Sequence, residues 1–170
     1  MPIDAASRAH NNKADYMAVQ MIYHVGFVVS DLEKSLKWYT AVLGQHVERE
    51  IRELSGDWIS AVTGFENSRL KMAWVGTGNG CSIELDQYVT PPGSGNPPTS
   101  AQNDVRASHV GIQVDDVHAE YQRMSALGVK FAGAPPVKLD NEYPWANCAV
   151  FLKDPDGNWI ELLERSPAPE

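Results

Sequence analysis

Two histidines and two glutamates stand at matching places in this chain, and their types suggest metal chemistry before any fold is assigned. His24 opens the run His-Val-Gly-Phe-Val-Val-Ser-Asp-Leu, and His109 opens His-Val-Gly-Ile-Gln-Val-Asp-Asp-Val. Glu84 sits in Ile83-Glu84-Leu85, and Glu161 sits in Ile160-Glu161-Leu162. Imidazole and carboxylate together suit one divalent ion of the Zn, Ni, Co, Mn or Fe(II) group. No thiolate accompanies them, which argues against a closed structural zinc site. A lone His or Glu near a strand end is more often simply solvated. The recurrence of the pair is what singles it out.

That recurrence extends into the elements that must position the four residues. Leu32, Leu36, Tyr39 and Val42 correspond at one constant offset to Val117, Tyr121, Met124 and Leu127, and Leu43-Gly44 and Leu127-Gly128 close the two segments. A fixed-offset match is the mark of an internal duplication. From Met21 to Val29 the pattern alternates, with Tyr23, Val25, Phe27 and Val29 on one face and His24 on the other. A helix is expected to begin at Ser30, with Glu33 completing a capping box, and to end at Gly44. Residues 46–54 and 57–62 read as strands separated by a turn at Ser55-Gly56. Residues 69–75 and 81–88 read as a hairpin across Gly76 to Gly80. The second copy repeats the order: a strand over 107–114, a helix over 116–127 and a short strand near 129–131. A hairpin of 147–152 with 158–163 follows, turning at Asp154-Pro155-Asp156-Gly157. The expected fold class is α+β, built from two tandem βαβββ modules at 21–90 and 107–165. A Pro/Gly/Ser-rich linker at 91–106 joins them, and short tails are expected at 1–20 and 166–170.

Strand alternation then decides where the candidate ligands point. Ile83 and Leu85 pack on the helix, so Glu84 faces away with Ser82 and Asp86. Val110, Ile112 and Val114 pack, so His109 faces away; Ile160 and Leu162 pack, so Glu161 faces away with Trp159. Each module thus offers one His and one Glu from the face opposite its helix. If that face curls into a cup, all four converge. Gln113 shares the face of His109, and Trp74, Trp145 and Tyr143 are candidates for an apolar pocket lining. His46, His118 and His10 are assigned no role.

Composition excludes several other classes. Apolar residues make up 43% and charged residues 21%, ordinary values for a globular chain. A net charge of −8 with no Lys/Arg cluster argues against a nucleic-acid partner. No apolar run is long enough to span a membrane, and Met1 to Gln20 lacks the apolar core of a secretory signal. A cytoplasmic location is expected by elimination, with Cys81 and Cys148 as reduced thiols.

The same runs, together with Trp38-Tyr39-Thr40-Ala41-Val42-Leu43-Gly44 and Asp154-Pro155-Asp156-Gly157-Asn158-Trp159, resemble the vicinal oxygen chelate superfamily. That group includes glyoxalase I, methylmalonyl-CoA epimerase, extradiol dioxygenases and the bleomycin and fosfomycin resistance proteins. The resemblance covers about residues 21–165. It implies paired modules forming a cupped, partly open barrel-like sheet with helices outside, around one divalent ion held by His24, Glu84, His109 and Glu161. A fourth ligand at Glu84 resembles glyoxalase I, whereas the epimerases carry glutamine there. The implied activity is a lyase, isomerase or epimerase that abstracts a proton next to a metal-held carbonyl of a small oxygenated substrate. Glu161 is the first choice for the base, and Glu84 is its partner or a permanent ligand.

Val28 stands where bacterial glyoxalase I has an arginine for glutathione, and Tyr88 stands where it has an asparagine. Both argue against a glutathione thioester and leave Tyr88 as a candidate pocket residue. An Fe(II) extradiol-type dioxygenase and a non-catalytic small-molecule binder are the alternative activities, and a homodimer is the expected assembly.

Overall fold

Described in a computed structural model are residues 21–94, 101–105, 107–139 and 146–165. Trp145, Tyr143, His10, both expected tails and part of the expected linker lie outside them. The elements are β1 (His24–Val28), α1 (Leu32–Ala41), β2 (His46–Ser55), α2 (Asp57–Thr63), β3 (Arg69–Gly76) and β4 (Ser82–Thr90). The second set is β5 (His109–Val114), α3 (Val117–Ala126), β6 (Phe131–Lys138), β7 (Cys148–Lys153) and β8 (Trp159–Glu164). They form two four-stranded sheets of matching order, β1-β4-β3-β2 and β5-β8-β7-β6. In each, the first and last strands pair in parallel and the rest are antiparallel. The fold is α+β, and neither sheet closes into a barrel.

The duplication reaches down to individual hydrogen bonds. Asp31 and Asp116 are the N-caps, with nearly identical extended backbones, and their carboxylates accept from Lys34 N and Ala119 N. The first helical N–H of each helix is satisfied by the strand beneath it. Leu32 N donates to the Gln87 side chain at 3.0 Å and Val117 N to the Glu164 side chain at 3.3 Å. Each pair ties a helix start to the strand that carries the candidate carboxylate.

Two local expectations are corrected. Asp31 replaces Ser30 as the cap: its backbone is extended and its carboxylate accepts from Lys34 N, while the Ser30 N–H donates to Asp156 at 3.1 Å. Residues 57–63 form a helix instead of a strand. Gly56 and Gly64 bracket this segment at positive φ, and the Ser60 and Thr63 hydroxyls donate to carbonyls one turn back. One buried residue, Ile59, anchors it.

The helix-bearing faces of both sheets contribute to one contiguous core. Phe27, Leu32, Tyr39, Val75 and Leu85 come from the first module; Val117, Met124, Val150, Leu152 and Leu162 come from the second. The β7–β8 turn docks on α1. Tyr39 donates its hydroxyl to buried Asp154 at 2.9 Å, and Ser35 donates to Asp156 at 3.3 Å. Burial and the adjacent Asp154 and Asp156 carboxylates push the Tyr39 phenol far up, so it stays protonated and donates to Asp154. The turn has the expected form: Gly157 N donates to Asp154 O and Gly157 takes φ 92°. With the apolar faces joined in one core, the His/Glu faces are left open. No described helix is long and apolar enough to cross a membrane.

Candidate metal centre

In both modules a parallel strand pair brings the histidine to the carboxylate, with a glycine opposite the glutamate. Gly26 is the residue opposite Glu84, and His24 lies two positions before it on the same face. A Cβ on Gly26 would sit 3.9 Å from Glu84 Oε2, an ordinary van der Waals contact, so the parallel register sets the carboxylate beside His24. His24 Nε2 and Glu84 Oε2 are 2.9 Å apart. The second module repeats this. Gly111 is opposite Glu161, a Cβ there would be 3.7 Å from Glu161 Oε2, and His109 Nε2 is 3.5 Å from that oxygen. The shared parallel register positions both pairs, and in both modules Nε2 is the ring nitrogen presented to the carboxylate.

The surroundings of the two pairs differ. The Trp74 indole N–H donates to Glu84 Oε1 at 3.1 Å, and the Trp74 ring lies 4.8 Å from that of His24. Phe151, the residue opposite Glu161, contacts His109 edge-on at 5.1 Å and has no N–H to give. Glu161 has no hydrogen-bonding partner besides His109 among the described residues. Asp86, two positions beyond Glu84 on the same face, is pushed up to about 7 by burial and by the Glu84 charge. Its Oδ1 is buried without a partner. Ser82, on the same face, donates to the Glu48 carboxylate, which also accepts from Gly78 N at 2.9 Å.

Of the sequence candidates, Trp74 lies against the His24–Glu84 pair. Tyr88 shares the Glu84 face, but its ring meets Phe65 at 5.9 Å. Gln113 is exposed on the His109 face. Unforeseen from sequence is Arg49, whose guanidinium lies 4.0 Å from the Trp74 ring and donates to Tyr23 Oη at 2.7 Å. Register shifts in β2 on both sides of Arg49 break the alternation that would have revealed its direction. Two larger clefts, of about 410 and 500 Å³, contain none of the four candidate ligands.

The donor set fits a divalent ion, because each pair already faces an imidazole nitrogen toward a carboxylate oxygen at close range. The four do not form one cluster, however. No group of three or more His, Cys, Asp or Glu in a metal-holding arrangement occurs among the described residues. The pairs lie on separate sheets, and β1 and β5, which carry the histidines, are both edge strands.

Known proteins share this architecture. A family model described as Glyoxalase/Bleomycin resistance protein/Dioxygenase superfamily matches residues 21–162. The chain is 28% identical over 144 residues to the uncharacterized protein YwbC of Bacillus subtilis (strain 168), covering 85% of this chain and 97% of that one. It is 28% identical over 148 residues to a probable lactoylglutathione lyase of Vibrio parahaemolyticus, covering 86% and 92%. In fold it is similar to the crystal structure of a glyoxalase family protein from Bacillus cereus. The TM-score is 0.78 at 23% identity, with 92% of this chain and all of that one covered.

Proposed function

The chain belongs to the Glyoxalase/Bleomycin resistance protein/Dioxygenase superfamily, and on that premise we propose that it is a divalent-metal-dependent lyase or isomerase. It moves a proton next to a carbonyl of a small oxygenated substrate. The observation carrying this reading is the recurrence of one His–Gly–Glu geometry, with Nε2 facing Oε2 in both modules. The relative named as a probable lactoylglutathione lyase supports the reaction class. Val28 and Tyr88 weigh against glutathione as the carrier in this chain.

His24 and Glu84 of one copy and His109 and Glu161 of a second copy would hold the ion in a homodimer. The open His/Glu faces and the exposed histidines on edge strands support a centre completed between copies. When bound, the ion supplies Lewis acidity that makes a C–H next to a carbonyl easier to deprotonate. Glu161 takes that proton: no second donor restrains its carboxylate, so it is free to swing to the substrate. It holds the proton while the substrate's electron pair shifts, then returns it to the neighbouring carbon. Glu84, gripped by the Trp74 indole, remains a fixed ligand and orients His24.

The test is proton exchange. The purified protein, reconstituted in turn with Ni, Co, Zn and Mn, is incubated in D₂O with methylglyoxal hemithioacetals of glutathione and of smaller thiols. Metal-dependent deuterium incorporation or thioester formation, abolished by Glu161→Gln, is the expected result. No exchange with any loaded form would overturn the reading. Iron-dependent oxygen uptake with a catechol would replace it with the dioxygenase, and tight ligand binding without turnover would replace it with a binding protein.

A further inference from the structure

Beside the His24–Glu84 pair lies a cation that nothing in the proposed chemistry uses. Arg49 is exposed on β2. Its guanidinium stacks on Trp74 at 4.0 Å and lies 6.0 Å from the Tyr23 ring, whose hydroxyl accepts one of its N–H groups at 2.7 Å. Unlike Arg69, paired with Glu53, and Arg123, paired with Glu120, it has no carboxylate within ion-pair distance among the described residues. Glu48 is adjacent in sequence but is already occupied by Ser82 Oγ and Gly78 N. The register shifts on both sides of Arg49 bring it opposite Trp74, the residue that also faces Glu84 across β4. A bulge that re-aims one side chain is a recurrent device at sites. Arg49, Trp74 and Tyr23 form one wall of a cleft of about 280 Å³, completed by Glu48, Gly78, Gly80 and Ser82.

The geometry points to Arg49 as the anchor for a carboxylate on the substrate, one indole width from the carbonyl that Glu84 and His24 serve. The substrate class is thus a carbonyl compound carrying a free carboxylate away from its reacting end. The stack fixes the guanidinium plane and Tyr23 holds one edge, so the remaining N–H groups form a pre-organised fork for a planar anion. A carboxylate fits better than a phosphate dianion, because Glu48 lines the same cleft and repels a second negative charge. This inference rests on the proposed reading for the carbonyl end only, and the anion contact stands on Arg49 itself.

The test reads the Trp74 indole N–H resonance, assigned by its loss in Trp74→Phe, during titration with 2-oxoglutarate and, separately, its dimethyl ester. Metal content is measured in parallel. The acid is expected to shift this resonance saturably and the ester to leave it unmoved. Arg49→Gln weakens the acid about tenfold or more, and Arg49→Lys weakens it by a smaller factor. Unchanged thermal midpoints identify folded variants, which an exposed arginine makes the expected case. Equal response to acid and ester, or an unaltered affinity in folded Arg49→Gln, would overturn the inference. Metal binding with no acid response rejects the anchor but not the metal centre. An acid response with no metal binding does the reverse.

Discussion

The two modules share a scaffold and differ in what surrounds their carboxylates. Both have an Asp N-cap, a strand side chain on the first helical N–H, a glycine opposite the glutamate and Nε2 turned to Oε2. In the first, Trp74 grips Glu84 and Arg49 lies opposite Trp74. In the second, Phe151 takes the Trp74 place and Ala132 lies opposite it. Where the first has Asp86 two positions after its glutamate, the second has Leu163. The scaffold thus supplies two similar ligand pairs, and the neighbours separate their roles. One carboxylate is held by an indole beside a cation and a titratable acid; the other has only its histidine, next to an apolar ring.

The largest expected effect comes from removing the free carboxylate. Glu161→Gln should lower metal-dependent proton exchange by about 10²–10⁴-fold, the usual contribution of a positioned base. Glu84→Gln should act mainly on metal affinity, so equal catalytic losses at unchanged metal content would erase the distinction between the modules. Trp74→Phe makes the first module like the second. Metal affinity, read by competition with a chromophoric chelator, should fall about 10-fold or more, as when an outer partner of a ligand is lost. No change would show that the indole contact does not orient Glu84.

The docking of the β7–β8 turn on α1 is also one-sided, since Met124 occupies the Tyr39 position in the second helix. Tyr39→Phe removes a buried hydrogen bond to Asp154, whose other partners, Asn158 and the Asp156 backbone, remain. A loss of about 1–2 kcal/mol by denaturant unfolding is expected. The smallest effect belongs to Asp86. Its folded pKa is raised to about 7 by burial and by Glu84, so between about pH 4 and 7 the folded chain binds more protons than the unfolded chain. Stability of the metal-free protein should therefore fall as pH rises through that window and level off above it. Asp86→Asn should remove about 1 kcal/mol of that fall, after solvent screening of a partly exposed group. An identical pH profile in the variant would remove Asp86 from the account.

The parts legible in sequence were those governed by local periodicity. Strand alternation placed His24, Glu84, His109 and Glu161 on the faces opposite the helices, and the Leu-Gly pairs marked both helix ends. Misread features had non-local causes. Residues 57–62 read as a strand, yet Gly56 and Gly64 and a single buried anchor, Ile59, make Asp57–Thr63 a short helix. The cap lies one residue later than expected, at Asp31, and the Ser30 N–H goes to Asp156, far along the chain. Arg49 could not be placed, since bulges in β2 shift its register and only tertiary packing sets it on Trp74. In the proposed centre the four residues meet only through a second copy, which no single chain encodes as local pattern.

The central claim, that the two His–Glu pairs are halves of one centre built between copies, is tested most directly by mixing two variants. His24→Ala and His109→Ala proteins are assayed for bound metal alone and after subunit exchange verified by native mass spectrometry. Each alone should hold none. A random equimolar mixture should recover about a quarter of the wild-type content, because half the dimers are mixed and one of their two sites is intact. A full equivalent of metal in either single variant, or no recovery in verified mixed dimers, would contradict the account.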